Sequence, residues 1–404
     1  MMAGPPPFGA GRLVTLENWQ RPPFNRWSFQ HVRELIPTAR IARGDGPVWA
    51  LPKAERDDLD DLRFDVPPGE LAPDGTLTVG ELLARTWTDG FLVIHRGQVV
   101  TERYSGGLRP DTPHLLMSVS KSLAGLAAGA LSGQGALDVA APVESVVPEL
   151  NGTSFAGATV QQLLDMRTGT RFPEDDDDPG GEAAVRDRVY GWSPDEGRPR
   201  PASATEFFAA LGNDEPHGGP FRYRSVLIDV LAWVLEKASG QRFGDLLASA
   251  LWQPMGAEYD ADVTLDAHGN AAADGGISAT LRDAGRIGLL ALRRGQADGR
   301  QVIAAEWLDD TVRGAPDGPG AFLAGDGAGR GYPGGAHYRN CWWVIDPGLP
   351  LYCAAGVFGQ FVFVHGPAEL VVAKLSSWPE PSSPPLRTAM VAAVRTIASA
   401  LSRE

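Results

Sequence analysis

An α+β fold, with an antiparallel sheet flanked by helices and joined to an all-helical subdomain, is predicted for this 404-residue chain from three observations. First, residues 91–104 read as two strands around an Arg96-Gly97 turn, a hairpin near the start of the chain. Second, 341–345, 359–365 and 369–375 are short apolar, strand-like runs near its end, the last two meeting at Gly366-Pro367. Third, the roughly 230 residues between them repeat their apolar positions at helical spacing. A chain this long favours two subdomains over one core. The sheet subdomain is assigned to 18–112 and 338–404, and the mainly helical one to 113–337. Ser118 falls where the chain passes from one to the other.

Taken in order, residues 1–17 read as a disordered arm, since Pro5-Pro6-Pro7 prevents regular structure. Residues 18–27 form an extended arm that pins Trp19 and Trp27 to the body. A short helix over 29–35 stops at Pro37, and 54–64 is a charged surface segment. Val79, Leu82 and Leu83 predict a helix over 78–86, just before the hairpin. Further helices are predicted over 118–131, 160–166 and 205–211. Over 226–239, Val226, Leu227, Val230, Leu231, Val234 and Leu235 share one face, with Ser225 placed to cap the start and Gly240 to end it. Helices over 242–252 and 281–294 follow. Residues 316–335 read as a loop because Gly and Pro dominate it, and a helix over 386–401 closes the chain. Gly329 to Gly334 is formally G-x-G-x-x-G, but it follows no strand and Pro333 disrupts the helix start a dinucleotide site needs.

The chemistry concentrates in the 118–131 helix. Ser118 sits at its N-terminal end, where free N–H groups favour developing negative charge. Lys121 lies one turn on, on the same face. Only four lysines (Lys53, Lys121, Lys237, Lys374) stand among 36 basic residues, and this one falls in an otherwise apolar helix rich in Ala and Gly. A lysine in a buried helix needs a reason. A neutral lysine can take the proton of a serine hydroxyl and make it a nucleophile, the Ser-x-x-Lys arrangement of one class of acyl-transferring enzymes. Burial is expected to hold Lys121 well below the ordinary ~10.4.

Bulk properties narrow the alternatives. A net charge of −14 argues against nucleic acid or an anionic membrane as partner. No stretch approaches the ~18–20 consecutive apolar residues of a membrane span, and no apolar run follows a basic N-terminal segment, so the cytoplasm is the expected location. Cys341 and Cys353 are too few for a disulfide framework and are expected as reduced, buried thiols. The run from Glu174 to Asp178 reads as a solvated loop. A calcium site fits it poorly, because calcium loops space their ligands. The histidines show no ligand spacing, and no metal or organic cofactor is expected. Oligomeric state is left open.

Three stretches in order resemble the serine β-lactamase and penicillin-binding-protein superfamily of class C type. These are Ser118-Val-Ser-Lys121, Tyr223-Arg-Ser225 in place of that family's Tyr-x-Asn, and Ala354-Ala355-Gly356-Val357 in place of its Lys-Thr-Gly and following residue. Within the superfamily the chain looks most like the 6-aminohexanoate-dimer (nylon-oligomer) hydrolases. Asn25 to Phe29, His114 to Lys121, Asp229 to Trp233, Gly359-Gln360 and Val372 to Pro379 carry that likeness, which runs from residue 18 onward. The resemblance implies a serine β-lactamase/DD-peptidase-like fold with the active site between the subdomains. It also implies Ser118 as nucleophile, Lys121 as proton acceptor and Tyr223 as proton relay, with the N–H groups of Ser118 and Val357 as oxyanion hole. Ser225, Gly356, Trp343 and Asp176 are the implied substrate contacts, Trp343 as a pocket wall. Ala354 replaces a family Lys or His, so β-lactam hydrolysis is not expected. Asp176 stands where nylon-oligomer hydrolases have a tyrosine, which favours an amine or cationic substrate group. The expected function is acyl-enzyme hydrolysis of small amides or esters. The alternatives are acyl transfer to an amine or alcohol in natural-product metabolism, and a non-catalytic sensor that binds without turnover.

Overall fold

The computed structural model describes residues 1–2, 4–174, 178–195 and 197–403. The two ends of the chain meet in one seven-stranded sheet. Its order is His337–Arg339, Trp342–Asp346, Leu351–Gly356, Gln360–His365, Leu370–Ser376, Thr88–His95 and Gln98–Tyr104, antiparallel throughout. The N-terminal hairpin docks on the last strand, with Leu370 opposite His95 and Lys374 opposite Phe91. Leu370–Ser376 is buried along its whole length, which explains why these strands read as continuous apolar runs rather than alternating ones. Helix Leu281–Leu292 lies close on the sheet through two glycines. A Cβ at Gly288 would come within 2.8 Å of Val362, and one at Gly285 within 3.1 Å of Ile94.

Two departures from the expected sheet have local causes. Strand Leu351–Gly356 is not evident in the sequence because Ala354, Ala355 and Gly356 have weak strand propensity. Asn340 and Cys341 both take left-handed φ, +50° and +66°, so the neighbouring strand starts at Trp342 rather than at Cys341. Both cysteines are buried and unpaired.

The middle of the chain is helical in the main, as predicted, and holds a small sheet as well. Thr38–Ile41, Ala261–Thr264, Ile277–Ala279 and His114–Leu115 pair in that order. Strands of two to four residues are too short to show a period. The stretch expected as a loop over 316–335 contains helix Gly318–Leu323, whose Pro319 sits in the first turn, where its missing N–H costs nothing. Helix Glu182–Val189 follows the acidic run, where no element is predicted from the sequence. Residues 1–17 are packed from Val14 onward, and Trp19 is buried with its indole donating to Trp192 O at 2.7 Å. No helix among the described residues is long and apolar enough to cross a membrane.

Candidate active site

Helix Val119–Gly133 is buried from Val119 to Leu131, and its small residues make this possible. Gly129 faces the Trp307 ring, where a Cβ would approach to 2.6 Å, and Gly125 faces the Asn340–Cys341 backbone. Ser118 is the residue just before the helix. Met117, immediately before it, has φ +48°, a strained value that a branchless turn residue would avoid. Leu115 pairs with Ser278, and Leu116 N–H donates to Ile277 O at 2.8 Å, so the small sheet delivers Ser118 and the 274–277 turn to the same place.

Lys121 Nζ is 2.7 Å from Ser118 Oγ and donates to Asp274 O, also at 2.7 Å. It is 1% exposed. The sequence leads to a neutral Lys121, and the site overturns that expectation. Burial does push the ammonium down and is the largest single influence, but Tyr223, Asp274, Glu174 and Asp229 together outweigh it and raise the lysine above its ordinary value. Asp274 Oδ2 lies 3.9 Å from Nζ. Beneath it, Arg186 pairs with Asp274 and with Asp229, the latter at 3.3 Å, and Asp229 Oδ1 accepts from Asp274 N–H at 3.0 Å. The Arg186 guanidinium also packs over Tyr190 at 4.6 Å and Trp192 at 5.0 Å. Burial and the neighbouring Asp274 push Asp229 up to about 8.

Tyr223 precedes helix Val226–Ser239, and its phenol ring lies 5.2 Å from Lys121 Nζ. Burial keeps that phenol protonated beyond its ordinary range. Ser225 is near, but its hydroxyl does not cap the helix. Its own φ and ψ are helical (−56°, −39°), and the Glu174 carboxylate accepts the Ser225 N–H instead. Trp343 is not a pocket wall. It lies behind Tyr223, stacked on it at 5.3 Å and covered by Arg330 at 4.1 Å, so it fixes the tyrosine ring. Trp192 lines the cleft in its place.

Gly356 ends strand Leu351–Gly356 against the nucleophile turn. A Cβ there would stand 2.7 Å from Leu116 O and 2.9 Å from Ser118 N, so only glycine allows this approach. The approach brings Val357, 39% exposed and lining the cleft, beside Ser118. The N–H groups of Ser118 and Val357 enter none of the turn, loop or cap hydrogen bonds of the backbone. Two such donors beside a serine could together hold an oxyanion. Ala354 is fully buried in the strand. Asp176 lies outside the described residues.

The cleft over Ser118 has a volume of about 450 Å³. Among the described residues, its charged lining is Glu17, Glu174, Asp187 and Asp274 against Arg21 alone. The buried network of Arg186, Asp229 and Asp274 is not anticipated from sequence, although a signal exists. Asp229 interrupts the buried face of its helix in the same way that Lys121 interrupts its own.

The Beta-lactamase family profile matches residues 79–395. The 6-aminohexanoate-dimer hydrolase of Paenarthrobacter ureafaciens is 37% identical over 381 residues, covering 93% of this chain and 91% of that protein. Among solved structures, a Bacillus anthracis protein provisionally described as a 6-aminohexanoate-dimer hydrolase superposes with TM-score 0.87 at 25% identity, covering 98% of this chain and 99% of its own. A family VIII carboxylesterase shares the fold at TM-score 0.59 and 17% identity, covering 78% of this chain and 93% of its own. The chain therefore belongs to the β-lactamase family, as a serine hydrolase of the amide- or ester-cleaving kind.

Proposed function

We propose that this enzyme cleaves small amides and esters through an acyl-enzyme on Ser118, with Lys121 and Tyr223 moving the protons, and that it favours substrates bearing an ammonium group. One observation carries the reading. Ser118 Oγ, Lys121 Nζ bonded to it at 2.7 Å, and the Tyr223 ring 5.2 Å from that ammonium lie together at the floor of an acid-lined cleft. With the lysine an ammonium and the tyrosine a phenol at rest, the base form of the site is the Lys121–Tyr223 pair after loss of one proton. That form accepts the Ser118 proton as Oγ attacks the carbonyl. The N–H groups of Ser118 and Val357 hold the oxyanion. Tyr223 returns the proton to the leaving amine or alcohol, then takes one from the water that releases the acyl group. An amine in place of that water gives acyl transfer, and the acids lining the cleft favour such an acceptor.

The test is intact-mass trapping of the acyl-enzyme with a panel of esters and amides, with and without amine acceptors. Ser118→Ala should lose turnover on the order of 10³-fold or more while its melting curve stays unchanged. Near-wild-type turnover by that variant would mean another nucleophile. A wild-type protein that acylates and never releases would support the sensor alternative.

A further inference from the structure

We propose that Gln360 is a positioning residue that holds the oxyanion hole in shape. The proposal rests on the acyl-enzyme reading of Ser118. Its starting point is the turn over Val357–Gly359, which supplies one of the two oxyanion donors. Phe358 in that turn has φ +59° and Gly359 φ +87°. A bulky residue in the left-handed region is unfavourable and persists only where its surroundings impose it.

Gln360 supplies much of that constraint. Its side chain is fully buried, and its amide nitrogen donates to Ser376 O at 2.7 Å, Phe358 O at 3.2 Å and, more weakly, Val357 O at 3.4 Å. The amide oxygen accepts from Ser376 N–H at 3.0 Å. One side chain thus ties two carbonyls of the strained turn to the end of strand Leu370–Ser376. The far side of the turn is fixed separately, with Phe358 N–H donating to Pro381 O at 2.8 Å and Trp378 N–H to Phe358 O at 3.2 Å. Gln360 is the only one of these partners whose side chain reaches the turn from within the sheet. No atom of it need touch substrate. It acts by aiming the Val357 N–H, whose value lies in being set before charge develops on the substrate oxygen.

Gln360→Glu is the sharpest probe, because it keeps the shape and the acceptor for Ser376 N–H while removing every N–H donor. Gln360→Met serves if the glutamate variant does not fold. The expected result is a kcat lower on the order of 10²-fold with KM within about threefold. Phenylboronic acid, which forms a tetrahedral adduct on the serine, should bind more weakly by a similar factor. Affinity for an uncleaved amide substrate, measured in the Ser118→Ala background with and without the Gln360 change, should stay the same. A merely structural role would lower both affinities together with the melting temperature, and that result overturns the proposal. Unchanged kcat and boronate affinity overturn it as well. If the wild-type enzyme takes up no boronate at Ser118, the acyl-enzyme reading itself fails and takes this inference with it.

Discussion

Lys121 and Lys374 are both buried, 1% and 0% exposed, and their surroundings drive them in opposite directions. Lys374 sits in strand Leu370–Ser376, bonded to Ser376 Oγ and Thr86 O and lying 5.6 Å from the Trp378 ring, with Asp89 the one charge acting on it. Burial dominates there and lowers it to about 7. Lys121 meets Tyr223 and three carboxylates brought from residues 274, 174 and 229, and it is raised. Burial alone therefore does not produce a neutral lysine. The sign depends on how many opposite charges the fold gathers around the ammonium. The lysine with the lowered value bonds to Ser376 and Thr86, while the one bonded to Ser118 is raised.

The largest effect expected from this contrast is on turnover. Lys121→Met should lose on the order of 10³-fold or more in kcat/KM. Lys121→Arg should be equally inactive, since arginine does not release its proton. Lys374→Met should keep activity within about threefold. An active Lys121→Arg enzyme would break the comparison, because no proton-accepting role for Lys121 could then stand.

A second effect is on pH dependence. Activity should rise with pH as the Lys121–Tyr223 pair loses its proton, and the acids around Lys121 push that limb upward. Asp274→Asn removes one of them, so the ammonium is less favoured and the limb should move to lower pH. The profile of kcat/KM against pH for a neutral ester reads this directly. An upward shift in the variant would show that the carboxylates do not set the value.

The same acids should act on the substrate. For matched esters ending in an amine or a carboxylate, the amine is expected to be preferred about tenfold at low salt, and less at high salt where exposed charges are screened. The preference should shrink in Asp187→Asn, since Asp187 lines the cleft and is the most accessible of the acids paired with Arg186. A carboxylate preference would mean that an arginine, with Arg21 on the cleft wall the first candidate, outweighs the acids.

Much of this was legible in the residues, for physical reasons that also explain what was not. Much of the sheet was readable because strands Thr88–His95, Gln360–His365 and Leu370–Ser376 are buried almost throughout and so carry long apolar runs. The pairing of Ser118 with Lys121 was readable because a lysine in an Ala/Gly-rich helix stands out against its surroundings. The small sheet was unreadable because its members are two to four residues long. The charge state of Lys121 was unreadable for a different reason. It depends on Asp229 and Asp274, which are tied by Arg186 across 43 and 88 residues of sequence, and no local pattern encodes that meeting. Trp343 packs behind Tyr223, and an aromatic that walls a pocket and one that backs a tyrosine look alike in sequence.

The smallest expected effect is on stability, and it concerns the sheet lysine. In the unfolded chain Lys374 titrates near ~10.4. In the folded chain it titrates at about 7. Between these values the unfolded state binds one more proton than the folded one, so this residue's contribution to stability rises with pH from about 7 to about 10 and is at its worst at and below neutrality. Lys374→Met fills similar space without a charge to dehydrate. It should therefore raise stability near pH 7, on the order of 2 kcal/mol once the lost bond to Ser376 is set against the relieved desolvation. The advantage should shrink towards pH 10, where the wild-type lysine is neutral in both states. Urea melts of the two proteins at pH 7, 8.5 and 10 measure it. A gain independent of pH would assign the effect to packing alone, and a loss at pH 7 would show that Lys374 is charged in the fold, ending the contrast with Lys121.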